Sequence, residues 1–299
     1  MHLIYVAIET GFMIGAVYGL MASGLTFIFG VTRVVNAAQG AVAVLGAYVS
    51  YALGQHFGID PFVSLIVVIP IAFVLGAFVN LIFVRRIAGI GMNVLVRAVL
   101  VTLAVAIILQ GVLEMVFGND LVTINASYVT ATFALRHDYI AYIYLFGFLL
   151  SAALVGLLYL FLYRTRLGRV VRIARRNRPA ARLAGVDLGR IDTIVFGIGF
   201  AFAAAGGMVY GSINPFNPIS SYDLITRLLA IAIIGGLGSV SGAIIAAIVL
   251  LVIESVTAIY APVGATAVFY VALALTLVIR PGGVVDWNRV RMRLPLGAR

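Results

Sequence analysis

Nine hydrophobic runs occupy most of the chain, near residues 5–31, 37–54, 62–84, 97–117, 139–163, 191–213, 224–236, 243–260 and 265–280. Most approach the roughly 20 residues that a helix needs to cross a bilayer core. The expected fold class is therefore all-α, a polytopic membrane helical bundle of about eight to nine segments. Composition agrees: 64% of residues are hydrophobic and 10% charged, against about 45–50% and about 25% in soluble domains. Met1 to Glu9 lacks the basic stretch of a signal peptide and runs straight into the first segment, so it is expected to stay in the mature protein. Residues 1–299 read as a single membrane domain.

All 20 basic residues are arginine, and the chain has neither lysine nor cysteine. That removes disulfides, thiolate metal sites, lipidated cysteines and any P-loop lysine. The net charge of +10 does not point to nucleic acid, because the arginines sit at the ends of hydrophobic segments, where positive-inside topology puts them. Counting segments, Arg33, then Arg85, Arg86 and Arg97, then the nine arginines from Arg164 to Arg190, then Arg280, Arg289, Arg291, Arg293 and Arg299 share one face. Only Arg136 and Arg227 fall on the other, and each has an aspartate close by in sequence, Asp138 and Asp223. The first face is read as cytoplasmic, with the N-terminus outside, the C-terminus inside, and both the loop 164–190 and the tail 281–299 in the cytoplasm.

Two segments are interrupted by glycine. Asn36-Ala-Ala-Gln39-Gly40 breaks the run just past Arg33, and Gly235-Gly236-Leu-Gly238-Ser239-Val-Ser-Gly242 joins 224–236 to 243–260. The second pair is either two crossings or one re-entrant hairpin, since irregular backbone at membrane depth must be buried in protein or line a wet cavity. Interrupted segments in the two halves of a transporter point to the substrate path, which makes Asn36, Gln39, Gly40, Gly235, Gly236, Gly238, Ser239 and Gly242 the solute-path candidates. Small residues at four-residue spacing, Gly11, Gly15 and Gly19 in the first segment and Gly199, Ala203, Gly207 and Gly211 in the sixth, read as helix packing stripes.

Nothing reads as catalytic. The three histidines, His2, His56 and His137, stand singly and make no metal-ligand spacing, and neither Ser239 nor Ser241 has a nucleophile elbow around it. An ion-coupled secondary transporter remains a rival class, with Glu114 or Glu254 as its coupling carboxylate.

Within the arginine-rich loop, Asn177 to Val186 carries the punctuation of a two-turn helix: Asn177 to cap, Pro179 in the first turn, Gly185 just past the end. Its apolar surface of Ala181, Leu183, Ala184 and Val186 suits a partner's groove, and the arginines suit acidic residues or lipid phosphates.

Several stretches together resemble one family over nearly the whole chain. They are Gly24-Leu-Thr-Phe-Ile-Phe-Gly30-Val with Val35-Asn36-Ala-Ala-Gln39-Gly40, the loop from Leu167-Gly168-Arg169 through Ala180-Ala181 to Gly185-Val186, Ala203 to Gly211, and Gly235-Gly236-Leu-Gly238-Ser239 with Gly242 and Ile253-Glu254-Ser255. The family is that of the membrane permeases of ABC importers for branched-chain amino acids, specifically the shorter permease of the high-affinity system. The resemblance implies a permease domain that binds no cofactor itself. It would work in the bacterial inner membrane with a second permease, similar or identical, two cytoplasmic ATP-binding subunits that use ATP, and an external solute-binding protein. By the same resemblance Asn177, Ala180, Ala181, Leu183 and Gly185 belong to the helix that receives the ATPase stroke. Where the family often reads Asn-Phe-Ala-His-Gly-Glu, this chain has Asn36-Ala37-Ala38-Gln39-Gly40-Ala41, which keeps urea and short amides open as substrates beside branched-chain amino acids.

Overall fold

The computed structural model describes residues 2–87, 94–135 and 138–279. In chain order the helices are α1 (His2–Thr32), α2 (Gln39–Phe57), α3 (Pro61–Val79), which runs through a π turn into the short α4 (Arg85–Ile87), α5 (Val94–Phe117), α6 (Ser127–Thr130), α7 (Tyr142–Arg164), α8 (Arg166–Arg176), α9 (Arg178–Leu183), α10 (Leu188–Ile213), α11 (Ser220–Gly235), α12 (Val240–Tyr260) and α13 (Ala267–Ile279). Each of the nine hydrophobic runs falls on a helix. Among the described residues, six helices are long and apolar enough to cross a membrane: α1, α3 with its π turn, α5, α7, α10 and α12. The eight to nine hydrophobic segments read from the sequence exceed that number, because α2, α11 and α13 fall short in length or apolarity. A correction concerns the start of the fifth run. Residues 138–141 form a strand, β2 (Asp138–Ala141), paired antiparallel with β1 (Thr132–Leu135), and α7 begins only at Tyr142. Arg136, His137, Arg280 and the tail 281–299 lie outside the described residues.

In lipid there is no hydrophobic drive between helices, so contact rests on packing and hydrogen bonds, and small residues set how closely backbones approach. Both glycine stripes serve this purpose inside the chain. A side chain at Gly11 would meet the Val252 Cα at 2.8 Å, one at Gly15 the Ile248 Cα at 2.7 Å, and one at Gly19 the Ile244 Cα at 3.2 Å. The partner's number falls as the glycine's rises, so α1 and α12 run antiparallel in register. On α10, Gly207 presses on the backbone of Ala43 in α2, and Gly199 on Ile28 and Gly24 in α1. Glycines from neighbours pack back onto α10: Gly46 of α2 on Ala204, and Gly76 of α3 on Phe196. α10 is consequently enclosed, with Val195, Phe196, Phe200, Ala203, Ala205 and Met208 fully buried. By contrast α5 and α7 turn large apolar side chains outward, among them Leu100, Leu103, Ile107, Leu149 and Leu157, the surface that lipid would cover.

The end of the bundle away from the arginines is tied by polar and aromatic contacts. Phe216 and Val122 exchange both backbone hydrogen bonds at 2.9 Å, and Tyr48 stacks on Phe117 with centroids 4.5 Å apart while meeting Phe216 edge-on at 4.9 Å. Tyr128 donates to Asp60, which also accepts from the Phe62 N–H to cap α3. Burial and that hydrogen bond push the Tyr128 phenol above its ordinary value.

The α1–α12 contact makes a direct expectation. Gly15→Leu has α12 backbone in its way and should lower the folded yield and melting temperature of the purified protein, by the equivalent of about 1–3 kcal/mol for an overpacked contact. Gly111→Leu on α5, where nothing lies within 4 Å, should leave both unchanged in the same fluorescence-detected thermal assay.

Candidate functional site

The arginine-rich loop folds as a chain of capped helices. Thr165 accepts from the Gly168 N–H at 2.9 Å to start α8, Asn177 accepts from the Ala180 N–H at 3.1 Å to start α9, and Asp187 accepts from the Arg190 N–H at 3.2 Å to start α10. Each cap meets one of the unpaired N–H groups at a helix start. α9 stops in a Schellman turn: the Val186 N–H donates to Ala181 and the Gly185 N–H to Arg182, both at 3.1 Å. Gly185 has φ +78°, the left-handed backbone that this turn requires and glycine adopts without strain.

Two arginines fasten this unit to the bundle. Arg178 faces Asp192 of α10 with two parallel hydrogen bonds, Nη1 to Oδ1 at 2.9 Å and Nη2 to Oδ2 at 2.7 Å, and also donates to the Val31 carbonyl near the end of α1. Such paired geometry gives orientation as well as strength. Arg175 reaches the Gly238 carbonyl, in the turn between α11 and α12, at 2.6 Å. Partial burial, and then the charge of Arg33 nearby, push the Arg175 guanidinium below its ordinary value. Arg33 itself has φ +62°, and is the one non-glycine residue with positive φ among those described. There the chain turns from α1 into the extended stretch before α2. Between these fastenings open a recess of about 1120 Å3 bordered by Gly30, Arg33, Arg175, Gly238 and Ser239, and a second of about 670 Å3 beside Arg85, Arg178 and Asp192.

The five residues expected to receive a partner's stroke divide by position. Ala181 is fully buried beneath α9, whereas Leu183 is 90% exposed at its tip. Asn177, Ala180 and Gly185 are exposed, and a Cβ added at Gly185 would meet nothing within 4 Å.

The solute-path candidates fall into two groups. Asn36 and Gln39 are fully buried and satisfy one another: Asn36 Nδ2 donates to Gln39 Oε1 at 2.9 Å, Gln39 Nε2 donates to the carbonyls of Gly199 and Met21 at 3.0 and 3.3 Å, and Asn36 Oδ1 accepts from the Ala38 N–H at 3.1 Å. Thr102 of α5 accepts from the Ala37 N–H at 3.0 Å, so the backbone freed by the break finds partners inside the protein, as the absence of water demands. At the other break, Gly236 and Gly238 have φ of +89° and +92°. Ser239 caps α12 by accepting from the Gly242 N–H at 3.1 Å, and Gly235 and Gly242 pack backbone to backbone. One element joins the groups. α11 presses its start, Ser221 and Ile225, on Gly40, and its end, Gly235, on Gly242.

Sequence reasoning did not find Arg175, Arg178 and Asp192 as a clamp. The available signal was Asp192, a lone acid opening a hydrophobic run directly after nine arginines. It also left Arg227 on the far face and Glu254 at a segment end, whereas Arg227 Nη1 donates to both Glu254 oxygens at 2.9 and 3.0 Å, and its Nε to Asp223 at 3.1 Å.

The helical bundle thus carries two backbone breaks, each in contact with one end of α11, and an exposed helix pair fastened to it by arginines. The chain belongs to the family described as the permease component of branched-chain amino acid transport systems, whose model matches residues 7–280. It is similar to a probable branched-chain amino acid transport permease protein LivH of Methanocaldococcus jannaschii, 30% identical over 92% of this chain and 91% of that one. It is also similar to the high-affinity branched-chain amino acid transport system permease proteins LivH of Escherichia coli and BraD of Pseudomonas aeruginosa, each 27% identical over 92% of this chain and 93% of theirs.

If Arg178 holds the unit in place, Arg178→Ala leaves Asp192 without its partner. It should cost about 2–4 kcal/mol, toward the range for one-sided loss of a buried pair, read as a fall in melting temperature. Arg182→Ala, exposed on the same helix, should stay within about 0.5 kcal/mol.

Proposed function

We propose that this chain is one permease subunit of an ATP-driven ABC importer for branched-chain amino acids in the bacterial inner membrane, with its N-terminus outside and its arginine-rich end and C-terminus in the cytoplasm. The reading keeps the eight to nine hydrophobic segments, with α11 and α12 either two crossings or one re-entrant hairpin, both of which return the chain to the same face. Its partners are a second permease, similar or identical, two cytoplasmic ATP-binding subunits and an external solute-binding protein. Lipid surrounds the outward apolar faces, and the arginines not used in clamps face headgroups or acidic partner residues. The chain binds no cofactor itself, and ATP is hydrolysed in the partner subunits. A standard P-loop needs a lysine, and this sequence has none.

The single observation that carries this reading is the fastening of α8 and α9 to two membrane helices and the turn between two others through Arg175 and Arg178. An ATPase that grips the exposed Leu183 tip pushes on a unit hydrogen-bonded to the end of α1, the start of α10 and the α11–α12 turn. A displacement at the tip therefore reaches the end of α11 directly, through the Arg175–Gly238 hydrogen bond. Branched-chain substrates are favoured by the family and by the relatives' names. The Asn36-Ala-Ala-Gln39 departure carries no weight for urea or amides, because both side chains are consumed in internal hydrogen bonds.

The test is ATP-dependent uptake of labelled L-leucine by the full complex in liposomes. Uptake that needs ATP and the binding protein is expected, while uptake driven by a proton or sodium gradient without ATP contradicts the reading in favour of an ion-coupled carrier. Leu183→Glu should leave the permease folded and weaken its capture of the ATPase by about tenfold, as loss of one apolar anchor does. Gly185→Val should keep the complex assembled but separate ATP hydrolysis from uptake, since a β-branched residue resists φ +78°. For topology, Leu183→Cys should be protected from an impermeant thiol reagent in intact cells and Phe57→Cys, 74% exposed, labelled. The reverse pattern overturns the orientation.

A further inference from the structure

The first two turns of α11 carry a polar outward face where its neighbours carry apolar ones. Tyr222, Asp223 and Thr226 are exposed on it, while the outward stripe of α12 is Ile245, Val249 and Ile253 and that of α5 includes Leu100, Leu103 and Ile107. Depth follows from packing. α11 and α12 run antiparallel from the Gly235–Gly242 contact, so Arg227, eight residues back along α11, stands roughly 12 Å from that contact at helical rise, opposite the middle of α12. An arginine at that depth is too costly to face lipid, and Asp223, one turn nearer the start of α11, is ion-paired with it.

Arg227 is held on three sides. Asp223 takes its Nε, Glu254 takes its Nη1 with both oxygens, and the Phe269 ring lies 5.1 Å under its guanidinium carbon. Its Nη2 has no acceptor among the described residues, and the side chain remains 13% exposed. The Asp223 side chain is 48% exposed. An N–H edge and a carboxylate oxygen are thus left open side by side, with Tyr18 and Tyr210 packed edge to face nearby at 6.3 Å.

We infer that the outward face of α11 lines the aqueous path, and that Arg227 and Asp223 form a station on it for the charged ends of a zwitterion, the α-carboxylate on Arg227 Nη2 and the α-ammonium on Asp223. This rests on the importer reading above for its substrate class. Glu254 acts as a positioning residue: by occupying Nη1 it fixes which edge of the guanidinium is presented. The rest of the path wall comes from the second permease, because the face is open in this chain alone.

The test uses the full importer in liposomes. Tyr222→Cys and Thr226→Cys should react with a charged, water-soluble methanethiosulfonate, and L-leucine should slow that reaction. Ile107→Cys and Val74→Cys, exposed on apolar faces, should not react. Asp223→Asn should raise the KM for leucine about tenfold or more, as expected for loss of a charge-assisted contact in a partly dry site. The double variant Arg227→Gln/Glu254→Gln retains a hydrogen-bonded pair and guards against misfolding. It should show the same KM rise and lose the preference for leucine over its uncharged analogue isocaproamide. Unreactive 222 and 226 positions overturn the wet path. Reactive positions that leucine does not protect, with the KM of Asp223→Asn unchanged, overturn the zwitterion station. If the wild type carries no leucine while position 226 reacts, the substrate reading fails and the wet face of α11 stands.

Discussion

The close backbone approach of α1 to α12, glycine by glycine along Gly11, Gly15 and Gly19, is the constraint on which the other positions depend. It fixes α12 in antiparallel register with the longest helix. α10 is then held against α1 by Gly199 and against α2 by Gly207, which leaves α10 enclosed. No large side chain could substitute at these contacts, because lipid supplies no compensating drive for helices held further apart.

On that frame α11 occupies a special place. Its start rests on Gly40 and its end on Gly242, so it spans the distance between the two interruptions that the sequence marks as path candidates. The turn after it is gripped by Arg175, and the neighbouring α1 and α10 by Arg178. The arginine-rich loop is therefore fastened to the bundle as well as exposed. Most of its arginines face outward, and two are spent on the bundle.

Much of the architecture was legible because it follows from local rules. Hydrophobic length put a helix on each of the nine runs, and cap residues placed α9 from Asn177 to Gly185. The glycine stripes gave helix contacts without naming partners, since spacing shows a face but not what meets it. The site was legible only in part. Gly235, Gly236, Gly238 and Gly242 announced a tight turn by composition, whereas the spacing of Gln39 does not reveal that it is a buried staple between α1 and α10. The pairing of Arg178 with Asp192, and of Arg227 with Glu254, brings together residues 14 and 27 positions apart, which neither helical spacing nor charge counting can foresee. The β1–β2 hairpin was missed because Tyr139, Ile140 and Ala141 are as apolar as the helix that follows.

The central claim is that α8, α9 and the α11–α12 turn move as one block. Spin labels at Arg182→Cys and Leu237→Cys in the reconstituted importer, with electron–electron distances measured without nucleotide and with ATP held unhydrolysed, test it most directly. The account predicts one unchanged distance distribution for 182–237 in both states, while a second pair, 182 with Val112→Cys on the outward face of α5, changes between them. A 182–237 distance that shifts on ATP binding would contradict the account, because the tip would then move without carrying the membrane helices with it.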